Sequence, residues 1–148
     1  MGTIVVGVDG SEGAQAALEF ALEEARLRAA AVKAVSAWRI PTVLYNAGWV
    51  PVPLDPAEYE KLAKEALEAS LEAAGAGASG LEVRAITREG HAADVLVAEA
   101  RGAELLVVGS RGLGGFRGLL LGSVSQQCAQ HAPCPVAIVP GPKEPAGS

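Results

Sequence analysis

The sequence predicts an α/β domain built on a single doubly wound parallel sheet of five strands with four helices. Three observations carry this expectation. Short apolar runs alternate with segments of helical period along the 148 residues, in the order βαβαβαβαβ; such alternation implies right-handed crossovers and helices on both faces of a parallel sheet. Residues 4–8 and 105–108 are almost purely apolar, as strands covered on both faces are. Each of these two runs ends on a glycine-bearing polar turn, Asp9-Gly10-Ser11 after the first and Gly109 onward after the other. Doubly wound sheets bind ligands at the carboxyl ends of strands, where the winding reverses, so neighbouring strands here would bring both turns to one crevice.

Each element has its own signal. The first strand, residues 4–8, is interrupted only by Gly7. Ala14, Ala17, Leu18, Ala21, Leu22, Ala25 and Ala29 then follow an i, i+3, i+4, i+7 rhythm, with Glu19, Glu23, Arg26 and Arg28 opposite, which defines an amphipathic helix. Ser11 is placed to cap it. Residues 32–38 form the second strand. Asp55-Pro56-Ala57-Glu58 opens the second helix with an acidic N-cap, proline at N1 and glutamate at N3. Ala63, Leu67, Leu71 and Ala74 make its apolar stripe, and the glycine-rich residues 75–80 end it.

Residues 81–87 alternate Val83, Ala85 and Thr87 with Glu82, Arg84 and Ile86, a third strand. A short helix over 91–101 is closed by Gly102, the fourth strand is 105–108, a helix over 122–132 is stopped by Pro133, and 136–139 is the last strand. Residues 1–140 are expected to form one domain, with 141–148, rich in proline and glycine, a disordered tail. The segment 40–54, IPTVLYNAGWVPVPL, is expected to be a connection, unusually apolar for one. A structureless stretch of that length tends to be functional. Two readings stand: Tyr45 or Trp49 covers a ligand or a neighbouring subunit, or the segment folds onto its own core.

Composition narrows the function. With 17 acidic and 12 basic side chains the formal charge is −5, which argues against duplex nucleic acid or an anionic membrane as the main partner, because both need basic patches. No run of 18 apolar residues marks a transmembrane helix, and MGTIVVGVDGS has no basic region before its apolar run. A cytoplasmic protein is expected. Cys128 and Cys134, with only His131 between them as a further ligand type, make a poor zinc site. They read as buried free thiols, with a redox pair as the alternative.

The segment from Gly109 to Ser125, GSRGLGGFRGLLLGSVS, holds the pattern G-x2-G-x9-G-[ST] in Gly109, Gly112 and Gly122-Ser123. Glycine lets backbone N–H groups approach an anion without a Cβ in the way, and a helix start adds free N–H donors and a favourable dipole. Ser123 and Ser125 add hydroxyls, and Arg111 and Arg117 are the only charged residues in the span. A phosphate cradle and a plain turn-forming connection both fit these facts. A Walker A loop does not, since Leu121 stands where its lysine belongs, and Gly7, Gly10 and Gly13 miss the G-x-G-x-x-G spacing.

With VGVDGSEGAQAALEFA near the start and GSRGLGGFRGLLLGSVSQQCAQHAPCPVAIVP near the end, the chain resembles the universal stress protein family, ATP-binding type, over residues 3–140. The resemblance implies an adenine nucleotide alpha hydrolase-like sheet of strand order 3-2-1-4-5, with the first and fourth strands adjacent. It implies triphosphate positions at Gly109, Gly112, Gly122, Ser123 and Ser125, with Val124 giving a backbone N–H and Arg111 able to supply charge. Asp9 would lie near the adenosine, Gly7 and Val8 would line its pocket, Ala37 would meet the adenine edge through its backbone, and Val108 would flank ribose or base. ATP with Mg²⁺ or Mn²⁺ is the implied ligand, the ion held by phosphate oxygens.

His91-Ala92-Ala93 departs from a position where relatives often carry proline, so His91 is expected at the entry to a helix rather than in catalysis, and His131 in a structural role. The function so implied is a nucleotide-dependent stress-response module with weak or no hydrolysis. A slow ATPase and a nucleotide-independent dimeric scaffold are the alternatives. From Gly109 to Ser125 there is no Asp, Glu, His or Lys, whereas efficient phosphoryl transfer needs a group to orient water. The last strand, Val136–Val139, is expected at a bare sheet edge, where pairing with a second copy would give a homodimer.

Overall fold

The computed structural model describes residues 2–40, 42–45, 48–51, 55–112 and 121–142. The chain runs through β1 (Thr3–Gly7), α1 (Glu12–Arg28), β2 (Ala31–Trp38), β3 (Thr42–Tyr45), β4 (Gly48–Pro51), α2 (Pro56–Ala73), a 3-10 turn (Ala76–Ala78), β5 (Val83–Glu89), α3 (Ala92–Glu99), β6 (Leu105–Gly109), α4 (Ser123–His131) and β7 (Val136–Val139). Five strands form one parallel sheet in the order β5-β2-β1-β6-β7. This is the expected 3-2-1-4-5 order; only the numbering shifts, because β3 and β4 stand apart as a separate antiparallel pair.

Local chemistry starts the helices where the sequence puts them. The Ser11 hydroxyl accepts the Ala14 N–H at 3.1 Å and opens α1, and the Asp55 carboxylate accepts the Ala57 N–H at 3.0 Å ahead of Pro56 in α2. The helices cover the two faces of the sheet. On one, Ile4 and Val6 of β1 pack with Leu18 and Leu22 of α1 and Leu67 of α2; on the other, Val5, Val35 and Leu106 pack with Leu96 of α3 and Cys128 of α4. Both faces of β1 are therefore buried, as its unbroken apolar run requires.

Two expectations need correction. Segment 40–54 is not a structureless connection: β3 and β4 pair antiparallel, with Thr42 opposite Pro51 and Tyr45 opposite Gly48. Four residues, a two-residue link and four residues is hairpin spacing, but Gly48 and Pro51 within the second run hide it from a propensity reading. The third sheet strand spans Val83–Glu89 rather than 81–87. As an edge strand it is half exposed, so Arg88 and Glu89 extend it without disturbing a core. Residues 143–148 of the expected tail, and Arg117 with the rest of 113–120, lie outside the described residues.

Candidate functional site

Where the sheet reverses direction, between β1 and β6, their carboxyl ends open into a cavity of about 450 Å³. Gly7, Val8 and Asp9 reach it from β1, Ala37 from β2, and Val108 with Gly109 from β6. Arg111, Gly112, Gly122, Ser123, Val124 and Ser125 close the remaining side from the two flanks of the glycine segment. All twelve residues singled out in the sequence thus line one cavity. Its volume falls within the ~300–1,000 Å³ common for small-molecule sites.

Ser11 lines the cavity as part of the anticipated Asp9-Gly10-Ser11 turn, and four further lining residues were not singled out for the site: Ala14, Val35, Ala92 and Leu96. Val35 arrives by register, paired with Gly7 across β1 and β2. Leu96 leans over Gly7 so closely that a Cβ there would sit 2.8 Å from its Cδ1. Gly7 thus leaves room for the Leu96 side chain, which would have to shift for any Cβ there, and the cavity is apolar at this end. Trp49, expected as a possible cover, is 70% exposed and is not among the lining residues.

The polar end is organised by three short hydrogen-bond systems. The Asp9 carboxylate accepts the Ser11 N–H at 2.9 Å and the Ser11 hydroxyl at 2.5 Å, tying it to the first turn of α1. The Ser110 carbonyl accepts the Gly122 N–H at 2.6 Å and lies 2.9 Å from the Ser125 hydroxyl, so it clips the end of the glycine segment to its beginning. Ser110 in turn donates its N–H to Val139 of β7 at 2.8 Å. Ser125 is 1% exposed, and its hydroxyl reaches the Ser110 and Gly122 carbonyls. It joins the two described flanks of the glycine segment, whereas Ser123 is the exposed first residue of α4.

The glycines of the motif serve close packing. Gly122 has φ −77, an ordinary value. A Cβ on Gly109 would meet the Gly13 carbonyl carbon at 2.8 Å, and one on Gly13 would meet the Arg111 carbonyl oxygen at 2.7 Å. The start of α1 and the end of β6 therefore touch backbone to backbone. A Cβ on Gly112 would lie 2.6 Å from Asp9 Oδ2. Gly13 belongs to this arrangement, a role its threefold spacing with Gly7 and Gly10 did not reveal.

The result is a cavity with an apolar inner end and a mouth holding Arg111 and the first turn of α4. Gln126 makes the first intrahelical bond, to the Gly122 carbonyl at 3.0 Å, leaving the N–H groups of Ser123, Val124 and Ser125 as helix-start donors to an anion. Among the described residues no group of three or more His, Cys, Asp or Glu side chains is arranged to hold a metal. Cys128 is wholly buried, and burial pushes its thiol up to about 11; burial also raises the half-exposed Cys134, partly opposed by the Leu106 backbone. His91 sits at the N-cap of α3 in contact with Arg39, and His131 is in the last turn of α4. No described helix is long and apolar enough to cross a membrane.

A parallel sheet with its cavity at the switch point, closed by glycine-packed turns and a helix start, defines a doubly wound α/β domain of ligand-binding architecture. The universal stress protein family model matches residues 1–140, and the chain belongs to that family. It is 34% identical over 138 residues to a universal stress protein of Mycolicibacterium smegmatis, covering 92% of this chain and 45% of the relative. The chain spans about half the length of the curated relatives it matches. Among solved structures, one universal stress protein in complex with cAMP is 29% identical with a TM-score of 0.67, over 95% of this chain and 98% of that one. Another, from Archaeoglobus fulgidus in complex with dAMP, is 26% identical with a TM-score of 0.64, over 94% and 98%.

Proposed function

We propose that residues 1–140 form a nucleotide-binding domain that takes an adenine nucleotide, ATP foremost, in the cavity between β1 and β6 and serves as a nucleotide-dependent regulatory module. The single observation that carries this reading is the polarity of the cavity: an apolar end between Ala37, Val35 and Leu96, and an anion-suited end at Arg111 and the start of α4. The complexes of similar proteins with cAMP and dAMP support it. The base would lie against the apolar end near Ala37 and Val108, with Asp9, fixed by Ser11, beside the sugar. The phosphates would take the N–H groups of Ser123 and Val124 and the charge of Arg111.

A divalent ion, Mg²⁺ or Mn²⁺, would neutralise phosphate charge. The donor set suits an ion held by phosphate oxygens and water, since Asp9 is the one carboxylate among the described lining residues. Weak or absent hydrolysis is part of this reading: Asp9 is engaged at the opening of α1, and the described lining residues include no histidine or lysine to orient water.

The domain would act in the cytoplasm and pair with a second copy through β7. That strand ends the sheet and carries Val136, Ala137, Ile138 and Val139, an apolar edge that calls for a covering strand. Calorimetric titration with ATP and with AMP, each with Mg²⁺, tests the binding. Micromolar affinity, about −8 kcal/mol, that is lost in Gly122→Val supports the reading. Failure of nucleotide-free protein to bind either ligand refutes it and leaves the dimeric scaffold.

A further inference from the structure

At the opposite end of the sheet, among the amino-terminal halves of β1, β2 and β5, lies a second and smaller cavity of about 120 Å³. Register explains its lining. Val5 pairs with Lys33, and Lys33 with Arg84, so the three form one row across the sheet, and Thr3 opposite Ala31 adds a hydroxyl-bearing residue on the same face. The end of α3 closes the row from above with Glu99, Arg101, Gly102 and Ala103.

Three residues with cationic side chains, Lys33, Arg84 and Arg101, thus line the cavity with Glu99, the one carboxylate among the described lining residues. That carboxylate is shared: Lys33 Nζ lies 2.9 Å from Glu99 Oε2, and Arg88 Nε lies 3.1 Å from Oε1. The Lys33 and Glu99 side chains are only 19% and 17% exposed, which holds this pair in place. Among the described residues Arg84 pairs with the exposed Glu82 at 3.4 Å, a contact of little energetic weight. The other nearby carboxylate, Glu104, is bound to Arg28. The cavity is thus a local positive excess on a chain whose net charge is −5.

We infer that this cavity is a binding site for a single tetrahedral oxyanion, a phosphate group taken free or as a small monoester, with Arg84 and Arg101 as its charged clamps. Guanidinium groups suit this ligand because their donors form a planar fork that matches phosphate oxygens. Size sets the upper limit: about 120 Å³ admits one phosphate group but not a nucleotide, which needs the larger cavity of about 450 Å³ at the other end. The Lys33–Glu99 pair forms the floor, orienting Lys33 while Glu99 tempers the affinity. This site is independent of the nucleotide reading, because the two cavities have no lining residue in common.

The test is an amide-resolved NMR titration of the whole chain with inorganic phosphate at constant ionic strength, with glycerol phosphate in parallel to tell a free from an esterified group. Saturating shifts are expected at Lys33, Arg101, Gly102 and Ala103. Affinity should fall at least tenfold in the Arg84→Gln, Arg101→Gln double variant, whose exposed positions leave the fold intact. Glu99→Gln should bind several-fold tighter, the opposite sign, which a merely structural role for these side chains would not produce. Shifts that never saturate, saturating shifts confined to Ser123–Ser125, or a double variant that binds as the parent does would overturn the inference.

Discussion

Replacing Gly109 with alanine tests whether the motif glycines exist for backbone contact. The added Cβ would lie 2.8 Å from the Gly13 carbonyl carbon, 2.9 Å from its oxygen and 3.2 Å from the Ala14 nitrogen. All three atoms belong to the first turns of α1, so no rotamer change relieves them; α1 and β6 must separate by roughly half an ångström to restore ordinary contact. Overpacking of this kind costs about 1–3 kcal/mol, and the lower chain entropy of alanine in the unfolded state returns about 0.4–1 kcal/mol. The net loss is centred on about 1.3 kcal/mol, which for a domain of this size lowers the melting temperature by roughly 3–5 °C.

Gly112→Ala is the matched control. Its Cβ meets Asp9 Oδ2, the tip of a side chain rather than backbone, so the cost is at most the Asp9–Ser11 hydrogen bonds, about 0.5–1.5 kcal/mol, and no separation of α1 from β6 is needed. Nucleotide affinity should nevertheless drop as Asp9 moves. Thermal unfolding followed by circular dichroism measures both variants. A Gly109→Ala protein that melts at or above the parent temperature would refute the argument that these glycines are packing requirements.

Three further outcomes are expected. Leu67→Ala, which truncates the one fully buried leucine joining α2 to the core, should cost about 2–5 kcal/mol in urea denaturation, and a loss under 1 kcal/mol would show that α2 packs by other contacts. The Lys33 hydrogen bond, with smaller help from Arg88, holds the Glu99 carboxyl below its usual range. Its stabilisation is therefore complete above the unfolded pKa and is lost as pH falls through the lower folded value. Denaturant midpoints between pH 5 and 3 should accordingly fall less steeply in Glu99→Gln. Finally, with Cys128 buried and its thiol pushed up to about 11, a thiol reagent at pH 8 should modify Cys134 in the native protein and Cys128 only on unfolding; equal rates would contradict the packing described.

Much of this molecule could be read from residue pattern alone, because its sheet is buried on both faces and its helices carry one apolar stripe. Apolar runs such as 4–8 and 105–108 are too short for buried helices and end on glycine-bearing turns, which makes them strands, and those polar turns mark the crevice. What stayed hidden depends on register and on contacts distant in sequence. Val35 looks like any strand valine until its pairing with Gly7 brings it to the cavity. Leu96 and Ala92 depend on how α3 crosses the sheet, and Gly13 shows its purpose only when β6 is set against α1. The β3–β4 hairpin escaped because Gly48 and Pro51 are residues that a strand pattern disfavours. The motif shows that Ser125 brings a hydroxyl, but not that this hydroxyl reaches the Ser110 carbonyl fifteen positions earlier in the chain.

The most direct test of the central claim is an amide-shift map of the nucleotide-free protein titrated with ATP and Mg²⁺. Saturating shifts are expected at both ends of one cavity, at Ala37 and Leu96 around the base and at Ser123 and Val124 around the phosphates, with Arg111→Gln weakening them. Shifts limited to the helix start and reproduced by inorganic phosphate alone, or no saturating shift at any of these residues, would contradict it.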